Sequence, residues 1–561
     1  MTFTAATYQN FISITSEAQG RLFPQYLGYR TDFDVVVIGS GIGGGILADD
    51  LADRLGSQKR ILVLEAGSYL FPTHVFNVCR FPNAQVAAHF ECTNFWQWNN
   101  DWNGQYYIHQ QPQLNFGGRS IFWSGLIPTI QPWELEFFPP RVRQDLSDGL
   151  LTEAGAKMNA SATMGATAQA IVHKLRQSPL AGDFEIQETP RALHQPYLTP
   201  DGVPTDRYFV EPTGVFNTAE LLINQAGLTP GVNHGDGPGL HLLLNHYVED
   251  VQNAPGNRFE LVVRNTLSGQ TRHFQAGTVV LACGSIESPK LLRRSSLFPS
   301  LPDQVKPLVG RGLTDHPTTD WITTFATNIG NVPIPNDSHA KIVFYSRSHR
   351  DSQNRILYPF NVEMNINHEY WHLRENDPSS GAAPSQNSGA SRVEIKFSFG
   401  NCLDSGNEIK PAPPYGYVPE IAFRNLKWTD DLVQSRFPAL AGWQKTDAEV
   451  FAVLNQITHQ IFSQFEHYGS PSRPEHDHWY GQHGIGFGRG TVHHAAGSLR
   501  MPYRASYDGP IQFESVVDED LRVVGTQHVY VCDMSVMPFS SAANPVRTLV
   551  ALALRMSNHF G

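Results

Sequence analysis

Cysteine is scarce: Cys79, Cys92, Cys283, Cys402 and Cys532 stand far apart in 561 residues, with no CxxC pair among them. An odd, scattered set excludes a disulfide framework and a haem-attachment motif and reads as reduced thiols, three of them core filler in apolar or aromatic surroundings. Long apolar runs are also missing. No stretch approaches the roughly 18 uninterrupted apolar residues of a membrane span, and the opening Met-Thr-Phe-Thr-Ala-Ala-Thr-Tyr has no basic region followed by an apolar one. A cytoplasmic location is therefore expected. Positive charge is in deficit as well: 41 Lys and Arg against 52 Asp and Glu give a net charge of −11. Such a surface repels nucleic acid, and an acidic substrate would need a local basic pocket.

What remains is an ordinary globular composition, 41% hydrophobic and 17% charged. At this length the chain exceeds one simple core, and about two to four compact units are expected. There is no internal repeat.

Glycine is placed with purpose near the start, in Asp34-Val-Val-Val-Ile-Gly39-Ser-Gly41-Ile-Gly-Gly44. Residues 35–38 form an apolar strand, and Ile46, Leu47, Leu51 and Leu55 put an apolar stripe on the helix that follows. Gly39, Gly41 and Gly44 suit a turn that a pyrophosphate approaches closely, at the positive end of that helix. A second strand, Arg60-Ile-Leu-Val-Leu64, ends in Glu65, placed to accept the hydroxyls of an adenosine ribose and to repel the extra phosphate of NADP.

Further along, His246–Val251, Arg258–Asn265 and Arg272–Gln275 have hairpin character. They lead into a buried strand, Gly277-Thr-Val-Val-Leu-Ala-Cys-Gly284, after which Ser288-Pro289 opens a helix, proline suiting a first helical turn. The nucleotide-binding unit is thus expected to be discontinuous, with a substrate-facing unit built from the insertions. A Gly, Ser and Pro-rich segment, Asn376–Ala390, separates strand-like runs at Arg355–Ile366 and Arg392–Phe399; it reads as a solvated loop, with a lid over a pocket as the alternative. Residues 1–31 are a polar lead-in with a short helix around Tyr8–Ser16. At the far end Asn544 is placed to cap a final helix, with Pro545 in its first position and Val546, Leu549, Val550 and Ala553 at helical spacing.

These blocks, with several others, resemble the glucose-methanol-choline (GMC) oxidoreductases, flavoproteins that oxidise alcohols and sugars. The likeness runs from Asp34 to Leu554 in the family's order. It includes Phe116-Gly-Gly118-Arg-Ser120-Ile-Phe122-Trp123, similar to a flavin-contacting loop, and Ala282-Cys-Gly-Ser-Ile-Glu-Ser288-Pro289. Gly310-Arg-Gly312-Leu-Thr-Asp315-His316-Pro317, His494-Ala-Ala-Gly497-Ser498 and Val529-Tyr-Val-Cys-Asp533-Met-Ser535-Val-Met-Pro538 complete it.

The resemblance implies an α/β fold: a discontinuous Rossmann-like FAD-binding domain (32–75, 110–130, 205–318 and 485–561) with a mixed-sheet α+β substrate-binding domain (76–109, 131–204 and 319–484). It implies FAD rather than NAD. Glu65 would serve the adenosine ribose and Val248 the strand beside the adenine. Gly118 and Ser120 would contact the flavin, and Asp533 the ribityl chain and pyrophosphate. The reaction centre would be His494 as acid/base residue, with His493 a structural neighbour one register out, and Asn544 beside it before Pro545. Asn544 then has two readings, helix cap and holder of the substrate oxygen. Phe122 stands where some relatives carry a histidine bonded to the flavin, so non-covalent FAD is expected.

The expected reaction is oxidation of a CH–OH group of a small alcohol or sugar, with O2 or another acceptor taking the electrons. The alternative is a GMC-like lyase or a light-driven decarboxylase. No metal site is expected: His476, His478 and His483 beside Asp477 read as solvated loop residues. The aromatic run Phe95-Trp96-Gln97-Trp98-Asn-Asn-Asp-Trp102 reads either as domain packing or as a stacking surface for substrate.

Overall fold

The computed structural model describes residues 31–67, 99–100, 113–160, 166–193, 215–228, 238–266, 268–316, 318, 322–335, 340–347, 360–367, 390–410, 420–422, 456–468, 494–504 and 509–560. Two seven-stranded sheets organise them. In chain order the elements that position the site begin with β1 (Asp32–Ile38), α1 (Ile42–Leu55) and β2 (Arg60–Leu64). Then follow α2 (Ala166–Arg176), β3 (Phe184–Glu188), α3 (Thr218–Leu228), β4 (Gly239–Leu243), β5 (His246–Ala254), β6 (Arg258–Asn265) and β7 (Thr271–Leu281). The second half supplies α4 (Gly284–Arg294), β8 (Ile322–Ile329), β9 (Ala340–Ser346), β10 (Phe360–Ile366) and β11 (Ser391–Phe399). Last come β12 (Phe465–Tyr468), β13 (Val529–Val531) and α5 (Val546–His559).

The first sheet has the order β4-β2-β1-β7-β6-β5. Its β4, β2, β1 and β7 run parallel, as apolar strands covered on both faces do, and β5 to β7 form an antiparallel meander. β7 has two partners on one edge: residues 271–276 pair with β6, whereas Val279–Leu281 pair in parallel with β13. That split edge draws the C-terminal segment to the strand end beside the glycine turn. Val36, Val37, Leu62, Val63, Val279 and Val280 are fully buried, and Ile46, Leu47 and Leu51 of α1 cover them.

The second sheet is antiparallel throughout: the pair Val332–Pro333, then β8-β11-β10-β9-β3, with β12 also on β8. Phe360, Val362, Met364 and Ile366 of β10 and Val393, Ile395 and Phe397 of β11 join Ile171, Val172 and Leu175 of α2 in a second core. Their alternates, Asn361, Glu363, Asn365, Glu394 and Ser398, are polar and equally buried. A small third sheet joins Glu408–Lys410 to Glu420–Ala422 antiparallel and the latter to Asn99–Asn100 in parallel.

Two sequence expectations are corrected. The helix expected to open at Ser288-Pro289 begins at Gly284, and Pro289 lies inside it. Gly284 takes a φ of +87°, open to glycine, so the turn closes early. Proline cannot donate to the carbonyl four residues back; that carbonyl, of Ser285, accepts instead from Ser498 Oγ. Secondly, Asn544 does not cap α5. The cap position is Pro545, with no side-chain capping bond, and the Pro545 carbonyl receives the Leu549 N–H at 2.9 Å. Of the run Arg355–Ile366, Phe360–Ile366 is strand and the rest lies outside the described residues, as do Tyr8–Ser16 and nearly all of Asn376–Ala390.

Candidate active site

A cavity of about 500 Å³ opens where the C-terminal ends of the parallel strands meet the polar face of the second sheet. The glycines of the first turn have three separate jobs. Gly39 has φ +107°, and a Cβ there would fall 2.4 Å from the Ala282 carbonyl oxygen, so it permits the sharp exit from β1. At Gly44 a Cβ would fall 2.2 Å from the Gly39 oxygen and 2.8 Å from Ala282 Cβ, so it permits α1 to lie on the sheet. Gly41 is different: a Cβ would meet nothing within 4 Å, because its free side faces the cavity. It is the N-cap of α1, with no side-chain cap and no acidic residue in the first turn, so nothing within the helix itself offsets its positive end.

Around this turn the carboxylates are held tightly. Glu65 Oε2 accepts from Ser40 N (3.1 Å) and Ser40 Oγ (2.6 Å), and Oε1 from Gly67 N (2.8 Å). Burial raises its pKa and these donors oppose that rise. Ser40 Oγ in turn accepts from Gly117 N at 2.9 Å, tying the fingerprint to the second glycine loop. Gly117 (φ +84°) and Gly118 (φ +52°) bring that loop so close that a Cβ on Gly118 would lie 3.2 Å from Gly41 Cα. Ser120 is beside the cavity, but its hydroxyl is engaged within the protein, donating to the Gly117 carbonyl (2.6 Å) and accepting from Thr218 N (3.0 Å).

Asp533 Oδ2 accepts from Gly284 N and Ser288 Oγ, and Oδ1 from Ser535 N and Oγ. It therefore secures the start of α4 as well as lining the cavity. Val248 lines the cavity from β5, at a register shift between Val248 and Asp250. Ser40 and Gly43 belong to the same lining and were not singled out in the sequence; Gly43 is required because a Cβ there would strike the Cys532 carbonyl oxygen at 2.0 Å.

At the other end of the cavity stands His494, with Asn544, Pro545, Val546 and Leu549 from the start of α5 in the same lining. His494 Nδ1 lies 2.8 Å from His316 Nδ1, the two rings stacked with centroids 5.1 Å apart and planes 19° apart. Two imidazole nitrogens at that distance share one proton, so one donates and the other accepts. Burial, His316, Lys396 and Arg119 hold His494 well below the usual histidine pKa, against an opposing pull from Glu363. Burial and Lys396 press His316 down to about 3. Both rings are neutral at pH 7. The turn before α5 is fixed by Glu134, whose Oε1 accepts from Ala542 N at 2.7 Å and whose pKa burial lifts to about 7. Nothing in the sequence pointed to Glu134. His316 was visible within a family-like segment but not as the partner of His494.

His493, Phe95–Trp98, Asp101, Trp102, His476, His478 and His483 lie outside the described residues. No helix among the described residues is long and apolar enough to cross a membrane.

A parallel nucleotide-binding sheet joined to an antiparallel sheet, with one cavity between glycine turn and buried histidine, defines a dinucleotide-dependent redox enzyme. Family models for GMC oxidoreductases match residues 235–318 (the N-terminal model) and 443–553 (the C-terminal model). Both domains of a GMC oxidoreductase, N- and C-terminal, are thus found in the chain, which is an FAD-dependent oxidoreductase. Its fold is shared with pyridoxine 4-oxidase from Mesorbium loti, at TM-score 0.59 and 18% identity over 94% of this chain and 99% of that one. It is shared also with a variant of the Aspergillus oryzae RIB40 formate oxidase, at TM-score 0.58 and 14% identity over 94% of this chain and 98% of the other. Comparison with curated protein sequences finds no match. The residues present suit FAD: the open side of Gly41 and the positive end of α1 form a cradle for a pyrophosphate.

Proposed function

We infer that the enzyme oxidises a CH–OH group of a small alcohol or sugar to a carbonyl, with His494 as the base. The observation that carries this reading is that His494, neutral and buried, shares one cavity with Asn544 and the fingerprint glycines. Bound FAD supplies the acceptor for the hydride that leaves the carbon. His494 Nε2 takes the hydroxyl proton, which requires its own proton on Nδ1, donated to His316 Nδ1. His316 thus acts as a positioning residue that fixes the tautomer. Asn544, freed from capping, holds the substrate oxygen. The uncapped start of α5, with no acidic residue in its first turn, offsets negative charge that develops beside it.

Gly39, Gly41, Gly44 and Gly118 admit the pyrophosphate and ribityl chain, with Asp533 and Ser120 supporting the loops around them. Glu65 and Val248 serve the adenosine. Pro545 fixes the backbone at the α5 end. In this division of labour segments 32–75, 110–130, 205–318 and 485–561 hold the cofactor, and the intervening segments face substrate. Dark, anaerobic titration with a panel of alcohols and sugars tests the reaction: at least one bleaches the oxidised-flavin band. A flavin that stays oxidised with every member of the panel contradicts it.

The pH dependence follows from the sign of the shift. A base whose folded pKa is depressed stays unprotonated until the pH falls through that lowered value. The rate of anaerobic flavin reduction therefore holds level as pH is lowered from 8 through 6.5. A rate that halves near 6.5, the ordinary histidine value, contradicts the environment assigned to His494.

Phe122 lines the cavity and carries no nucleophile. Acid precipitation should release all the flavin into the supernatant. Flavin retained in the washed pellet would show a covalent link and a different attachment residue.

A further inference from the structure

The segment that leads into α5 is held from two sides. On one, Ser540 and Asn401 exchange backbone hydrogen bonds of 2.7 and 3.0 Å, and Asn401 Nδ2 donates to Thr314 Oγ1 at 2.8 Å. On the other stands the short helical turn Glu134–Phe137, whose Phe137 ring stacks on Phe539 with centroids 4.1 Å apart and planes 11° apart. Glu134, fully buried, completes this second support: Oε1 accepts from Ala542 N at 2.7 Å and Oε2 from Gln131 N at 3.3 Å. A carboxylate taken out of water to hold a turn is unfavourable unless the group it holds matters, because an apolar side chain would pack there at less cost.

The residue it holds also meets His316. Thr314 and Ala496 exchange backbone hydrogen bonds of 2.9 Å each way, and His316, two residues on from Thr314, stacks on His494, two residues before Ala496. If the proton between the two Nδ1 atoms belongs to His494, His316 must carry its own proton on Nε2. That nitrogen is buried, and among the described residues no group meets it in ordinary hydrogen-bond geometry. The backbone group that acts on the ring is Ala542, and it favours the protonated form, as a carbonyl oxygen does. Hydrogen bonds around a reacting centre are often long until substrate is in place.

We propose that Glu134 is a positioning residue for the reaction: by holding the Ala542 backbone it sets the Ala542 carbonyl to accept from His316 Nε2, which leaves His316 Nδ1 to accept from His494 and His494 Nε2 free to take the substrate proton. This rests on the alcohol-oxidising reading above and deepens it, carrying the control of the base's tautomer back from His316 to a carboxylate outside the cavity lining. Glu134 itself exchanges no proton with the substrate. Charged or neutral, it offers Ala542 N a lone pair.

The test reads the tautomers without turnover, from proton–nitrogen correlation NMR of holoenzyme isotopically labelled at histidine nitrogen. The two signals are assigned by their loss in His316→Phe and His494→Ala. Wild-type enzyme should show Nδ1–H for His494 and Nε2–H for His316. Glu134→Met, checked for full flavin content and native circular dichroism, should lose this fixed pair, and Glu134→Gln, which keeps a carbonyl oxygen for Ala542 N, should restore it. If Glu134→Met does not hold flavin, Glu134→Asp, one methylene short of Ala542, takes its place with the same expectation. The opposite tautomers in the wild type, or the wild-type pair persisting in Glu134→Met or Glu134→Asp, overturns the proposal. With a substrate in hand, the Glu134→Met change should slow anaerobic flavin reduction by up to about 10²-fold. It should cost much less in a His316→Phe background, because Glu134 acts through that ring; an equal loss in both backgrounds contradicts the proposal. If the tautomers respond as stated but no alcohol bleaches the flavin, the alcohol-oxidising reading fails while the positioning role stands.

Discussion

Replacing His494 with alanine should leave the protein yellow and slow its anaerobic flavin reduction by roughly 10²–10⁴-fold, the usual contribution of a positioned general base. The hydrogen-bond partner of His494 is His316, away from the glycine turn, so removing the imidazole takes away the base without disturbing the pyrophosphate cradle. The loss should fall on the first-order reduction rate at saturating substrate, because the proton transfer occurs only as the C–H bond breaks. His316→Phe should reproduce part of this effect, since it removes the acceptor that fixes the His494 tautomer. It should also move the pH profile, which a purely packing role would leave in place. His493→Ala should be much milder. An H494A enzyme that reduces its flavin at the wild-type rate would remove His494 from the chemistry.

The second large effect concerns two glycines three residues apart. Gly41→Val should give a folded, colourless protein whose FAD affinity is down by about a hundredfold or more, equivalent to roughly 2.8 kcal/mol of binding free energy. Gly41 has φ −64° and a Cβ there meets nothing within 4 Å, so the chain tolerates the side chain; the ligand is what it displaces. Gly44→Val should instead fail to accumulate as folded protein, because its Cβ would sit 2.2 Å from the Gly39 backbone oxygen, which cannot move aside without breaking the turn. Far-ultraviolet circular dichroism with FAD titration separates the outcomes. Tight FAD binding by the Gly41 variant would show that the pyrophosphate lies elsewhere.

That contrast also indicates what could be read from the sequence. Gly39, Gly41 and Gly44 were legible because a strand–turn–helix imposes its glycine requirements locally, within a few residues. The meander of β5 to β7 was legible for the same reason: alternation and a Ser268-Gly269 turn are short-range signals. The start of α4 was misplaced because Pro289 obeys a strong local rule that a tertiary contact overrides, the Ser285 carbonyl finding its donor in Ser498. At Asn544 a single Asn-Pro pair fitted both a helix cap and a substrate-facing role, and the backbone geometry at Pro545 removes the cap reading.

The partnership of His494 with His316 joins residues 178 positions apart and leaves no local trace in either segment. Glu134 is similar: one buried carboxylate secures the turn before α5 across 408 positions. The polar alternates of β10 and β11 have the pattern of strands that wet one face. In the folded chain that face is buried, and two of the residues that a strand pattern assigns to solvent, Glu363 and Lys396, line the cavity that holds His494.

The convergence of the fingerprint turn, the second glycine loop, His494 and the start of α5 on a single flavin is best tested by a crystal structure of the enzyme reconstituted with FAD. The pyrophosphate should rest on the Gly39–Gly43 turn at the N-terminus of α1, with the isoalloxazine ring against His494 and Asn544. A flavin ring remote from His494, or a cradle at Gly41 left without phosphate, would contradict it.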